Sequence, residues 1–252
     1  MFLITGGGSG IGRALAHSLA EKKRKVLIIG RRERLLIETA AFSPLITYLQ
    51  ADVSTHQGRD QILNHLARTE SLEGLINNAG LLEPITPVDK IDESSWQQIL
   101  ATNLNAPLFL TQALLSKLKQ GRILNIGSGA AYFAIAAWAG YCVSKAGLAM
   151  LTRCWQMENP DLLIAHVMPG IIDTEMQTLA RQAKQMDEEQ RQFYLKLHQE
   201  KRLVSTATVA EFLAWLLLEV EPEVYRSKEW DIYEKSHQQA WLYPPYKVPD
   251  WV

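Results

Sequence analysis

Apolar residues along this chain fall into short runs, separated by longer stretches in which they recur every three or four positions. The runs occupy residues 2–4, 26–29, 45–49, 74–76, 123–126 and 162–168. Each is too short for a helix, and several are rich in Ile, Leu or Val, so they read as strands. Residues 12–22, 60–69, 105–119 and 141–157 carry helical spacing. Strand and helix in alternation predict an α/β fold: one parallel sheet, doubly wound, with right-handed crossovers and helices on both faces. In such sheets ligands lie beyond the carboxyl ends of the strands. The informative residues are therefore those that follow each run.

Two segments break the alternation. Residues 174–202 are polar, with Met176, Leu179, Ala183, Met186, Phe193 and Leu197 at helical spacing. They are expected to form a helix or helix pair packed by one face, placed as a lid over a pocket. After Lys235 come Trp241, Tyr243, Pro244, Pro245, Tyr246, Pro249 and Trp251, without a period and with two adjacent prolines. This aromatic tail, 236–252, is expected to be extended and to cover part of the surface or a neighbouring subunit. Residues 1–235 then form a single domain that includes the lid.

Composition narrows the function classes. The chain has 252 residues, 47% hydrophobic and 21% charged, enough apolar material for one sizeable core. Its net charge of -1 supplies no basic field for nucleic acid or anionic lipid. No apolar run approaches the ~18 residues of a membrane span, and the first residues lead directly into a glycine motif, so neither membrane span nor signal peptide is expected. Two cysteines, Cys142 and Cys154, without a CxxC make no disulfide framework and point to the cytoplasm. The six histidines lack ligand spacing and no HExxH occurs, so no metal is expected.

The candidate chemistry begins at Thr5-Gly6-Gly7-Gly8-Ser9-Gly10-Ile11-Gly12, after the first strand and at the start of a helix. Glycine costs backbone entropy, so this density needs a geometric reason. A tight turn that lets backbone amides and a helix N-terminus approach a pyrophosphate supplies one. The spacing is neither GxGxxG nor a P-loop. Gly30-Arg31-Arg32 follows the second strand. An acid there would bind a ribose 2′-hydroxyl, whereas an Arg accommodates a 2′-phosphate. This predicts NADP(H) as the preferred cofactor, with NAD(H) possible. Arg31 is the principal reader, and Arg32 reads more as the start of a solvated helix.

Tyr141 and Lys145 stand at i and i+4, on one helical face. A cation beside a phenol favours phenolate and is expected to lower its pKa, making Tyr141 an acid/base for a carbonyl or alcohol. Ser128 follows the run at 123–126 and can hydrogen-bond the same oxygen. Asn77-Asn78-Ala79-Gly80, Asn103 and Pro169-Gly170 follow other elements.

In this order, TGGGSGIG, Asp52-Val53, NNAG, Asn103, Ser128, YxxxK and PG resemble the short-chain dehydrogenase/reductase family over nearly the whole chain. The resemblance implies a Rossmann-type fold of about seven strands and hydride transfer with a nicotinamide cofactor. It implies Tyr141 as acid/base, Lys145 as ribose ligand and tuner of Tyr141, Ser128 orienting the carbonyl, and Asn103 holding a water that relays protons to Lys145. Gly6, Gly8, Ser9, Gly10, Ile11 and Gly12 would surround the pyrophosphate, and Asp52 and Val53 the adenine. Asn78, Ala79 and Gly80 would line the cofactor, with Pro169, Gly170, Ile172 and Thr174 near its nicotinamide. One departure is Ser9, where many NADP-dependent members carry a basic residue. A homodimer or homotetramer is expected by the same analogy.

PGIIDTEMQ, EKRLVSTATVAEFLAWLL and WDIYE resemble the sepiapterin reductase and benzil reductase branch. There an Asp in the last strand holds the pterin ring, and Asp231 falls at that position. The expected substrate is a small carbonyl compound, a ketone or vicinal diketone. The alternatives are another carbonyl or alcohol (3-oxoacyl thioester, sugar, steroid) or a non-catalytic dinucleotide-sensing scaffold.

Overall fold

In a computed structural model, which describes residues 1–250, seven strands form one sheet in which every neighbouring pair is parallel. They are β1 (Phe2–Thr5), β2 (Val26–Gly30), β3 (Ile46–Gln50), β4 (Gly74–Asn77), β5 (Arg122–Ile126), β6 (Leu163–Met168) and β7 (Trp230–Asp231), in the spatial order β3-β2-β1-β4-β5-β6-β7. The order reverses between β1 and β4, which opens a crevice at the carboxyl ends of those strands.

The helices are α1 (Gly10–Glu21), α2 (Glu33–Ala40), α3 (His56–His65), α4 (Glu93–Leu100), α5 (Ala106–Leu114), α6 (Ala139–Glu158), α7 (Glu175–Gln182), α8 (Glu188–Gln199), α9 (Thr206–Leu218), α10 (Pro222–Ser227) and α11 (Lys235–Gln238). Strand side chains alternate between two cores. Phe2, Ile4, Leu124 and Val167 face α1, α9 and α10, with Leu15, Leu19, Phe212 and Tyr225. Leu3, Leu75, Ile123 and Ile164 face α3 and α5, with Ile62, Leu110 and Leu114. No described helix is long and apolar enough to cross a membrane.

The segment after β6 leaves the sheet and returns to it. Its root is closed by a bridge between Ile172 and Val204, and between them run α7 and α8. The tail departs from the extended surface segment its composition predicts. Residues Lys235–Gln238 are helical, and His237 and Trp241 are buried among Phe212, Trp215 and Trp230. The Trp241 indole donates to His237 Nδ1 at 2.9 Å, which leaves His237 Nε2 to donate to the Asp231 carbonyl, also at 2.9 Å. The reason is chemical: each buried polar atom finds a partner, so these large rings can enter the core. Trp251 lies outside the described residues.

Candidate active site

A cleft of about 1150 Å³ runs across the carboxyl ends of the strands, from Arg31 and Asp52 at one end to Glu229 and Asp231 at the other. The glycine loop forms its floor. Gly6 has φ +68°, and a Cβ there would come within 3.0 Å of Ala79 Cα. At Gly12 a Cβ would lie 2.4 Å from the Gly6 carbonyl oxygen. The loop can therefore fold only with glycine at both places. The Asn78 side chain holds it by donating to the Thr5 and Gly6 carbonyls at 2.9 and 3.2 Å, while the amides of Asn78 and Ala79 donate to Thr5 Oγ1.

α1 opens on this floor with its N-terminus free of a side-chain cap. An uncapped N-terminus beside glycines that line a cleft suits a pyrophosphate, through free amides and the positive end of the helix dipole. The residues present fit a dinucleotide.

Two arginines, Arg31 and Arg32, line the cleft at the end near Asp52. Arg31 lines the cleft, and its guanidinium makes no hydrogen bond with any described residue. Arg32 immediately precedes α2 with its side chain more than half exposed, as the start of a solvated helix should, and it also donates to Ser9 Oγ at 2.9 Å and pairs with Glu175 at 3.0 Å. Ser9, which lacks the expected positive charge, thus borrows one from Arg32. Asp52 accepts from the Ser54 amide and hydroxyl at 2.9 and 2.7 Å, and Val53 is buried beside it.

Tyr141 and Lys145 lie one turn apart on α6, both buried, with Lys145 Nζ 5.6 Å from the phenol ring centre. Lys145 donates to the Ile126 carbonyl at 2.7 Å. The Ser128 hydroxyl hydrogen-bonds the Tyr141 phenol. The expected depression of the Tyr141 pKa is reversed: burial pushes it up to about 12, against the opposing Ser128 hydrogen bond. Burial likewise brings Lys145 down to about 8. Near pH 7 the phenol is protonated and poised as an acid.

Asn103 sits in a π-helical turn, Ala101–Asn105, between α4 and α5. Its side chain is fully engaged: Oδ1 accepts from Leu81 N at 2.8 Å, and Nδ2 donates to Leu81 O and Ser144 Oγ. A Cβ on Gly80 would lie 3.6 Å from Asn103 Oδ1 and 3.8 Å from Lys145 Nζ. The absence of that carbon leaves the space between Asn103 and Lys145 open. Pro169 and Gly170 (φ +87°) turn the chain out of β6. Ile172 and Thr174 follow along the cleft, with Thr174 capping α7.

Several lining residues escape sequence reasoning. Trp138 stacks on Tyr194 of α8 (ring centres 5.7 Å, planes at 6°) and meets Tyr141 edge-on at 5.7 Å. Its place three residues before Tyr141, on the same helical face, is the signal that could have found it. With Met176, Leu179 and Phe193 these rings make one wall apolar and aromatic. The opposite end is polar. Tyr132 donates to Glu229 at 2.5 Å, the His166 imidazole hydrogen-bonds the same carboxylate, and Arg153 lies 3.7 Å from it. Asp231 accepts from the Tyr233 amide at 2.9 Å, and burial, with some repulsion from Glu234 and Glu229, raises its pKa. No spacing could reveal this group, because it comes from four distant parts of the chain.

Compared with known proteins, residues 1–185 match the family model described as short chain dehydrogenase. The chain is 32% identical over 236 residues to a sepiapterin reductase of Meriones unguiculatus, covering 85% of this chain and 90% of that one. It is 29% identical over 231 residues to a benzil reductase, (S)-benzoin forming, of Bacillus cereus, covering 85% and 92%. The crystal structure of a short chain dehydrogenase/reductase from Saccharomyces cerevisiae superposes with a TM-score of 0.89 at 24% identity, covering 95% of this chain and 98% of that one.

Proposed function

Because this chain belongs to the short chain dehydrogenase family of oxidoreductases, within its benzil and sepiapterin reductase branch, we propose that it reduces a ketone or vicinal diketone to an alcohol, with NADPH as hydride donor and Tyr141 as the acid. The observation that carries this reading is the pair of buried residues Tyr141 and Lys145, with the part-buried Ser128 beside them, at the junction of a dinucleotide-sized groove and an aromatic-walled pocket.

When bound, the nicotinamide supplies the hydride. The protein's part is positioning and proton transfer. The α1 N-terminus and glycine loop hold the pyrophosphate, and Arg31 with Arg32 takes the ribose phosphate. Ser128 and Tyr141 donate hydrogen bonds to the carbonyl oxygen, polarising it and fixing its face. As charge develops on that oxygen, Tyr141 gives up its proton. The Lys145 ammonium stabilises the resulting phenolate, and water in the space kept open by Gly80 returns the proton through the Asn103 region. Trp138 and Tyr194 exclude solvent and favour an aromatic substituent. Asp231 accepts hydrogen bonds from donors at the substrate's far end, which a pterin carries and benzil lacks.

The test is NADPH oxidation by the purified protein with sepiapterin, benzil, 1-phenyl-1,2-propanedione and an acetoacetyl thioester. The expected result is fast turnover of a diketone or the pterin, with the thioester slow and NADH weaker than NADPH. Turnover confined to the thioester would move the substrate class. Silence on all four while NADPH still binds would favour a dinucleotide-sensing scaffold.

A further inference from the structure

One ion pair spans the rim of the cofactor groove. Glu175 is the first residue of α7, at the root of the segment that covers the pocket, while Arg32 stands before α2 on the far side of the glycine loop. The Arg32 guanidinium donates here to Glu175 Oε2 at 3.0 Å and to Ser9 Oγ at 2.9 Å, and all three residues line the cleft. Both side chains of the pair are more than half exposed, so it adds little to stability. Its importance is electrostatic. Arg32 is one of two cations at the groove's ribose end, and it already has an anion. Arg31 has none.

We propose that Glu175 is a specificity-determining residue for the cofactor, competing with the ribose 2′-phosphate for Arg32 and so restraining the preference for NADPH over NADH. This rests on the reading of the cleft as an NADP(H) site. A phosphate monoester is close to dianionic at pH 7. Two anions on one guanidinium stand about 5–6 Å apart, where a single charge facing a dianion in watery surroundings changes binding about tenfold at low salt. NADH brings no charge to that position and leaves the rim pair as it is. Glu175 therefore acts on one cofactor and not the other. That separates it from an acidic residue that merely favours the N-terminus of α7, whose loss would affect both cofactors alike.

The experiment is calorimetric titration of the full-length protein with 2′,5′-ADP and 5′-AMP, and with NADPH and NADH, using wild type, Glu175→Gln, Arg32→Gln and the double variant. Glu175→Gln is expected to tighten 2′,5′-ADP and NADPH about tenfold at low ionic strength. The shift should shrink as salt rises, with 5′-AMP and NADH staying within twofold. In the Arg32→Gln background most of the gain should vanish, because the competition is for that guanidinium. Equal tightening of all four ligands, or weaker NADPH binding, would overturn the proposal while leaving the NADP(H) reading intact. If wild type fails to distinguish 2′,5′-ADP from 5′-AMP, the reading itself falls and the proposal with it.

Discussion

Replacing Tyr141 with Phe is expected to lower carbonyl reduction about 10³-fold or more while NADPH binding stays within a few-fold of wild type. The change removes one hydroxyl from a ring that packs edge-on against Trp138, so the pocket keeps its shape. What disappears is the acid, and general acid–base catalysis contributes roughly 10²–10⁴-fold, to which the lost hydrogen bond to the carbonyl adds. Single-turnover kinetics, with NADPH fluorescence for binding, separate the two effects. The pH profile of the wild type belongs to the same expectation. Reduction needs the neutral phenol, and burial keeps Tyr141 protonated until about 12. Lys145 sets the alkaline limit instead: its ammonium is lost as pH rises through about 8, and reduction falls with it. A Tyr141→Phe variant that kept a tenth of wild-type activity would remove this residue from the mechanism.

The second large effect concerns stability. Trp241→Ala is expected to cost about 3–5 kcal/mol, the range for truncating a large buried aromatic side chain, and to lower Tm by roughly 10 °C. Trp241 is 3% exposed and touches Phe212 at 4.9 Å between ring centres. Its removal also orphans His237 Nδ1 and loosens the residue that donates to the Asp231 carbonyl. Activity toward a substrate held by Asp231 should fall even at temperatures where the variant is folded. A loss below about 1 kcal/mol in denaturant unfolding would make the tail the surface covering that its composition suggests.

The same tail shows where sequence reasoning runs out. Its prolines and lack of period read as extended chain, and nothing local tells that Trp241 and His237 satisfy each other's polar atoms inside the core. β1, β2, β4, β5 and β6 were legible because strands buried on both faces are uninterrupted apolar runs. β7 has two residues and makes no run, so only the likeness of WDIYE to known enzymes located it. α9 is hard to read from its pattern, because a helix buried on most faces has no polar stripe to mark its period. The glycine loop, Ser128, Tyr141 and Lys145 were readable because their chemistry demands fixed types at fixed places. Two electrostatic features of the site are tertiary. The pairing of Tyr141 with Lys145 was visible, but burial, which dominates its pKa, is a tertiary quantity. Arg32 does start a solvated helix, and what the sequence hides is its pairing with Glu175, 143 residues away.

Transfer of deuterium from [4-²H]NADPH to product tests hydride transfer at this site most directly. With the best carbonyl substrate of the panel, one deuterium should appear on the new carbinol carbon, from one face of the nicotinamide only and in one product configuration, and Tyr141→Phe should abolish it. Alcohol formed without the label, or label transferred equally well by the Tyr141→Phe protein, would contradict the mechanism.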